Sequence, residues 1–174
     1  LVLVSKYYVS SIKIRKYLIP ATLYFILLFN FLYYYHGYYA HYPREYSGEW
    51  QYGYRESIAA VQAIKDDFDQ VNVTTLLGRP YIYYLFYTKT EPDDFRKTAI
   101  IERDPYGFVH VEGFANYRFG DDLGKLDNDN KRILYVNGAN RAPQKANFFA
   151  TVNLLNGEPV FSIYEIVYIH PETE

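Results

Sequence analysis

Hydrophobic and polar positions follow three different patterns along this chain. Residues 17–35, YLIPATLYFILLFNFLYYY, are nineteen positions without a charge. At roughly 1.5 Å of rise per residue, a helix over them reaches about 28 Å, close to the ~30 Å hydrocarbon thickness of a bilayer. Farther along, apolar residues first recur every three or four positions and then alternate with polar ones. The pattern predicts one transmembrane helix over 17–36, followed by a domain of helices and strands.

The segment after Pro43 has the spacing of an amphipathic helix. Ser47 is its predicted N-cap, and the helix is expected from about Glu49 to Asp67. The apolar positions that define its face are Trp50, Tyr54, Ile58, Val61, Ile64 and Phe68. Two shorter helices are expected, one over PYIYYLFYT (80–88), where a strand is the alternative, and one from about Thr90 to Lys97.

Strand patterns dominate the last third of the chain, after an earlier β-branched run, VNVTTL (71–76). Segments 108–112, 115–119 and 132–137 are predicted strands, and 120–131 is a predicted polar loop. Asn156-Gly157 separates two long apolar runs, which predicts a hairpin with a type I′ turn. The predicted fold is therefore a mixed α/β sheet with a C-terminal antiparallel hairpin. Its predicted core comprises Trp50, Tyr54, Ile58, Val61, Phe68, Val71, Val73, Leu134, Val136, Val152, Leu154, Val160 and Ile163.

Charge orients the predicted span. Residues 1–16 contain four of the eighteen Lys and Arg residues and none of the twenty Asp and Glu residues. Short cationic flanks stay in the cytoplasm, so residues 1–16 are predicted to be a cytoplasmic loop or the end of a preceding span. An aromatic neck (37–47) and an extracytoplasmic domain (48–174) follow at the cell membrane. A buried helix of a soluble protein and a cleaved signal peptide are the alternatives. Because methionine is absent and the chain begins at Leu1, we expect an upstream segment.

Composition argues against several classes of chemistry. Residues 17–174 carry a net charge of −6, which does not suit nucleic-acid binding. Cysteine is absent, so disulfides and thiolate metal sites are not expected. His110-Val111-Glu112 matches half of a zinc-deaminase signature, but a strand with alternating faces is the better interpretation. Asp127-Asn128-Asp129 begins like a calcium loop, but the required Gly and bidentate Glu positions do not match. We therefore predict neither a metal nor a cofactor.

The stretch that follows the span could bind a lipid phosphate. His41 and Arg44 come directly after the tyrosine-rich end of the predicted span. An arginine fork at this height could donate two hydrogen bonds to a phosphate group. The alternative is that Arg44 pairs with Glu45 or Glu49 and only anchors the domain.

Three segments resemble a known enzyme family: HYPREYSGEWQYGYRESI, GRPYIYYLFYTKTEPDDF and LLNGEPVFSIYEI. Together with the tyrosine-rich helix end, they are similar to the C-terminal region of GT-C membrane glycosyltransferases. Within that superfamily they resemble dolichyl-phosphate-mannose protein mannosyltransferase-like and aminoarabinose-transferase-like proteins.

The resemblance implies a polytopic enzyme that moves a sugar from a polyprenyl-phosphate donor to an external acceptor. In that family the catalytic acid lies in the first external loop, upstream of this chain, so no catalytic residue is assigned here. The expected partners are membrane lipid, preceding transmembrane helices and the lipid-linked sugar. The donor-side candidates are His41, Arg44, Trp50 and Tyr54. The competing hypothesis is a non-enzymatic, single-pass, membrane-anchored binding or structural domain of the cell envelope.

Overall fold

The chain divides into a helical unit and a folded domain. A computed structural model describes residues 2–121 and 131–166. The two compact units are Leu1–Arg44 and Glu45–Glu174, so the domain begins three residues before the predicted boundary at 48. Most of the predicted loop 120–131, including Asp127–Asp129, lies outside the described residues.

The helical unit is continuous from its first described residue. Helix α1 spans Val2–His36 and contains Pro20. A π-helical segment, Gly37–His41, and helix α2, Tyr42–Glu45, follow it directly. Residues 2–16, predicted as a loop or the end of an earlier span, therefore continue the helix. Residues Lys16–Glu45 are long and apolar enough to cross a membrane.

The side chains of this helix are suited to an apolar surrounding. The large apolar side chains between Tyr17 and Tyr35 include many that are 49–83% exposed. Thr22 and Asn30 donate hydrogen bonds to backbone carbonyls four residues earlier, those of Leu18 (2.9 Å) and Ile26 (2.8 Å). The Thr22 hydroxyl and the Asn30 side-chain NH2 group thus have hydrogen-bond partners within the helix.

In the described residues of the domain, seven strands form one mixed sheet in the order β2-β3-β4-β1-β5-β7-β6. The central strand β1 runs parallel to both of its neighbours, β4 and β5, and the other pairings are antiparallel. The mixed α/β fold and the C-terminal hairpin are confirmed. The strands are β1 (Gln70–Val73), β2 (Ile100–Arg103), β3 (Val109–Phe114), β4 (Tyr117–Phe119), β5 (Ile133–Gly138), β6 (Ala146–Asn153) and β7 (Pro159–Ile166).

Within the described residues, three further α-helices accompany the sheet: α3 (Tyr54–Ile64), α4 (Pro80–Thr88) and α5 (Pro92–Thr98). The helix predicted over 80–88 is confirmed, with Pro80 in its first turn. Helix α3 begins five residues later than predicted. Gln51 and Gly53 have positive φ values of 57° and 108°, which turn the chain before the helix can start. Gly53, not Ser47, occupies the N-cap position.

The turn of the C-terminal hairpin differs from the predicted type. The Gly157 amide donates to the Leu154 carbonyl (3.0 Å), and the Leu154 amide donates to the Glu158 carbonyl (2.8 Å). Gly157 has a φ of 93°, whereas Asn156 is not among the residues with positive φ. A type I′ turn needs positive φ at both central residues. This connection is instead a three-residue loop that closes on a left-handed glycine.

The core lies on both faces of the sheet, because successive strand residues point to opposite sides. Leu134 and Val136 join the larger cluster with α3 and α4, while Ile133 and Tyr135 join a smaller cluster with Tyr164. Ten of the thirteen predicted core residues are buried. The three exceptions are Leu154 and Val160, which are partly buried, and Trp50, which is 68% exposed. Trp50 precedes the helix, so the helical spacing does not apply to it.

Candidate functional site

The four predicted donor-side residues lie in different settings. His41 ends the π-helical segment and Arg44 lies in α2; both are exposed and belong to the helical unit. Trp50 and Tyr54 belong to the domain, where Trp50 is exposed and Tyr54 is 1% exposed. The structure brings Trp50 and Tyr54 to one cleft, which we call the aromatic cleft.

The aromatic cleft, about 350 Å³ in volume, lies between the turn before α3 and one side of α4. The Tyr83 hydroxyl donates to the Gln51 side-chain oxygen at 2.7 Å, which ties the turn to α4. The rings of Tyr54 and Tyr83 stack at 4.5 Å with an interplanar angle of 9°. The residues that line the aromatic cleft are Trp50, Gln51, Tyr52, Gly53, Tyr54, Arg55, Glu56, Tyr83 and Tyr87.

Gly53 allows this turn to pack closely on the sheet. A Cβ atom at Gly53 would lie 2.9 Å from a methyl carbon of Val160. A larger residue would therefore force the turn away from β7 as well as strain the backbone at a φ of 108°. The close approach holds Trp50 and Tyr54 on either side of the turn.

The hydroxyl of Tyr54 is buried and makes no hydrogen bond to the described part of the chain. Burial raises its pKa well above the usual range, and the nearby Tyr83 and Asp121 raise it further. The phenol therefore stays neutral at physiological pH. With so little of its surface exposed, Tyr54 acts as a wall of the aromatic cleft, while Trp50 and Tyr87 offer the accessible rings.

A second cleft, about 470 Å³ in volume, is lined by several ionisable side chains. We call it the carboxylate cleft. Glu102 in β2 lies directly opposite His110 in β3, and Glu112 follows two residues later on the same face. The start of α4, including Arg79, forms the other wall. The lining residues are Thr75, Gly78, Arg79, Pro80, Tyr81, Glu102, Val109, His110, Val111, Glu112, Phe119 and Gly120.

The topology of the sheet explains where this cleft forms. Strands β1 and β4 are parallel neighbours, so their carboxyl ends meet at one edge of the sheet. Asp121 joins these ends by accepting hydrogen bonds from the Thr74 hydroxyl and the Thr75 amide, each at 3.1 Å. In open α/β sheets, ligands bind in the crevice beyond the carboxyl ends of the strands. The carboxylate cleft occupies such a position.

Glu102 and Glu112 form a carboxyl pair in this cleft. A hydrogen bond with Glu102 raises the pKa of Glu112, desolvation and the charge of Glu102 add to the rise, and His110 opposes it. The two carboxyl groups therefore interact within the cleft. Among the described residues, no group of three or more His, Cys, Asp or Glu side chains could hold a metal ion.

Asp104 organises the turn that joins β2 to β3. Its carboxylate accepts hydrogen bonds from the amides of Tyr106 (2.9 Å) and Phe108 (2.8 Å) and lies 3.4 Å from His110. Desolvation alone would raise the pKa of Asp104, but the bonds from Phe108, His110 and Tyr106 lower it overall. The turn therefore keeps His110 beside a carboxylate at the rim of the cleft.

Sequence reasoning did not identify the carboxylate cleft. The alternation in His110-Val111-Glu112 predicted a strand, and it does place both ionisable side chains on one face. The sequence could not place Glu102 beside these two side chains. Glu102 lies in β2, an edge strand whose four residues are all exposed, so buried and exposed positions do not alternate along it. Comparison of the chain with protein-family models, with curated proteins and with solved structures finds no match.

Proposed function

We propose that the chain is the extracytoplasmic C-terminal region of a membrane glycosyltransferase that uses a polyprenyl-phosphate sugar. In this proposal the domain assists transfer, and the catalytic acid lies upstream. The observation that carries the proposal is the meeting of the three segments that resemble GT-C enzymes. Tyr54 in the first segment stacks on Tyr83 in the second and lies 5.0 Å, centroid to centroid, from the ring of Phe161 in the third.

That meeting point suits a role beside a lipid-linked donor. Trp50 and Tyr54 follow the candidate span within ten residues and line the same cleft. Trp and Tyr rings favour the headgroup layer, where the phosphate of a lipid-linked sugar lies. His41 and Arg44 precede them in the chain and are the candidates for contact with that phosphate.

The orientation follows from the cationic flank and is directly testable. Because the chain has no cysteine, Lys145→Cys would introduce one unique thiol at an exposed position of the domain. We expect a membrane-impermeant maleimide to label this variant in intact cells. Labelling only after cell lysis would place the domain in the cytosol and contradict the proposal.

The transferase role is tested in the full-length protein. We expect eight or more additional spans upstream of Leu1, with an acidic residue in the first external loop, since the resemblance implies a polytopic enzyme.

Trp50→Ala and Arg44→Ala should each weaken donor affinity at unchanged protein levels. Phe148→Ala, a change at an exposed ring on the opposite face of the sheet from α4, is the matched control. Unchanged transfer in both variants would remove these residues from the donor site.

The second candidate function is a membrane-anchored binding domain without enzymatic activity. The carboxylate cleft favours it, because its lining residues all belong to the domain and need no upstream segment. Carboxylates, an arginine and a histidine suit a hydroxyl-rich or cationic small molecule. A start codon close upstream of Leu1 would favour this candidate over the transferase.

A further inference from the structure

Helix α4 has an apolar face that the domain does not bury. Ile82 and Phe86, one helical turn apart, are 50% and 73% exposed. The ring of Tyr87, which is also exposed, lies edge-on to that of Phe86 at 5.1 Å. Trp50 and Tyr87 line the same cleft. Ile82, Phe86, Tyr87 and Trp50 together form what we call the α4 face.

The opposite side of α4 is fixed by the core. Tyr84 is fully buried, and its ring lies 5.0 Å from that of Tyr117 and 5.7 Å from that of Phe119. The Tyr83 hydroxyl binds Gln51 on the flank of the helix. The α4 face therefore belongs to a rigidly packed helix, so its exposed rings are held outward by the fold.

The connection between the candidate span and Trp50 is short. Trp50 comes five residues after Glu45, the last residue of the candidate span. Five residues extend at most about 17 Å, even when fully stretched. The segment from Glu45 to Trp50 is not fully stretched, because the Trp50 amide donates a hydrogen bond to the Tyr46 carbonyl at 3.2 Å. An exposed Trp so near the end of a span is within reach of the lipid headgroups.

Charge at the two ends of α4 agrees with a lipid surface. Arg79 precedes the helix and Lys89 follows it, and both are exposed. Amphipathic helices that lie in the membrane interface combine apolar rings with cations that attract anionic headgroups. The tyrosine-rich end of the span supplies the same kind of side chain.

We propose that the α4 face docks onto the headgroup layer of the membrane that anchors the chain. This inference rests on the membrane anchoring in the proposed function and is independent of any transferase activity. Pro80 and Tyr81 at the start of α4 line the carboxylate cleft. Docking therefore holds that cleft at the membrane surface, where its ligand would be a headgroup or a molecule linked to lipid.

The experiment uses the full chain in vesicles of phosphatidylcholine and phosphatidylglycerol with brominated acyl chains, which quench nearby tryptophan. Trp50 is the single tryptophan, so Trp50→Phe provides a silent background. Phe86→Trp in that background should show blue-shifted emission and loss of intensity to bromine. Phe148→Trp is the matched control, since Phe148 is 52% exposed and packs on Tyr164 on the other face of the sheet.

Three results would decide between the alternatives. Quenching of Phe86→Trp no stronger than that of Phe148→Trp overturns docking, provided that both variants float with the vesicles. A blue shift without bromine quenching also overturns it, because protein, such as a second copy of the chain, then covers the face. Failure of the chain to float with vesicles rejects the anchoring itself and, with it, the proposed function.

Discussion

The described polar side chains of the helical unit bond locally, whereas the domain adds bonds between distant segments. In the helix, Thr22 and Asn30 bond to carbonyls four residues away. In the domain, Thr74 bonds to Asp121, 47 residues later, and Gln62 bonds to Tyr117, 55 residues later. The helix is therefore complete as a local structure, whereas the domain depends on contacts between distant segments.

Tyrosine shows the same difference. The chain has 22 tyrosines; those of the span, such as Tyr24 at 62% exposure, point outward, whereas Tyr84 in the domain is fully buried. The same side chain thus lies on the surface of one unit and in the packed interior of the other. Its effect on stability should differ accordingly.

The largest expected effect comes from emptying the core beneath α4. Tyr84→Ala should lower the free energy of unfolding of the domain by about 3–5 kcal/mol, because it leaves a cavity against Tyr117 and Phe119. Tyr24→Ala, the matched change in the helical unit, should leave domain unfolding unchanged. Denaturant unfolding in detergent, followed by Trp50 fluorescence, measures both. Equal effects would refute the contrast between the units.

A smaller effect is expected in the C-terminal hairpin. Gly157→Ala should destabilise the domain by about 1–2 kcal/mol, because an L-residue is strained at a positive φ. A Cβ at Gly157 or at Gly120 would meet no atom within 4 Å, but only Gly157 has positive φ. Gly120→Ala is therefore the control for crowding. If both variants unfold at the same denaturant concentration, backbone strain does not explain the need for Gly157.

Removing single hydroxyls tests the long-range hydrogen bonds. Tyr117→Phe should cost about 0.5–1.5 kcal/mol, because the Tyr117 hydroxyl accepts a 2.6 Å bond from Gln62. Tyr84→Phe should leave stability unchanged or raise it, since the Tyr84 hydroxyl is buried without a hydrogen bond to the described residues. Calorimetric melting of the two variants gives the comparison. A loss in Tyr84→Phe as large as that in Tyr117→Phe would indicate a bound water at Tyr84.

The smallest expected effect concerns pH and the carboxylate cleft. The pKa of Glu112 is higher in the folded chain than its ordinary value, so the folded state binds the proton more tightly. Stability should therefore fall as pH rises through the ordinary pKa of Glu and level off above the folded pKa. Glu112→Gln should remove this fall and raise stability at neutral pH by up to about 0.5 kcal/mol, as for other surface changes.

Glu102→Gln offers the complementary test of that pair. It replaces the carboxyl group whose hydrogen bond and charge raise the pKa of Glu112, so it should flatten the same part of the pH profile. Unfolding measured across the acidic range checks both variants. A profile that keeps its slope in each variant would show that the two carboxyl groups do not interact.

Several elements could be predicted because their causes are local. An uncharged run indicates the span, Pro80 sets the start of α4, and Asn156-Gly157 marks the hairpin. The predicted type I′ turn of this hairpin was wrong, since the loop has three residues and, of Asn156 and Gly157, only Gly157 takes the left-handed conformation. A dipeptide signals reversal of the chain, but the exact loop depends on the register of the strands it joins.

The amino-acid sequence by itself determined an apolar helix and the alternation that makes an α/β domain, because these properties depend on neighbours a few positions apart. Only the tertiary structure decided that Trp50 is exposed while Tyr54 is buried, since a turn with two left-handed residues separates them. It also decided that Glu102 lies opposite His110, on the face that carries Glu112. That pairing depends on the register of β2 and β3, and strand register is set by the packing of the whole sheet.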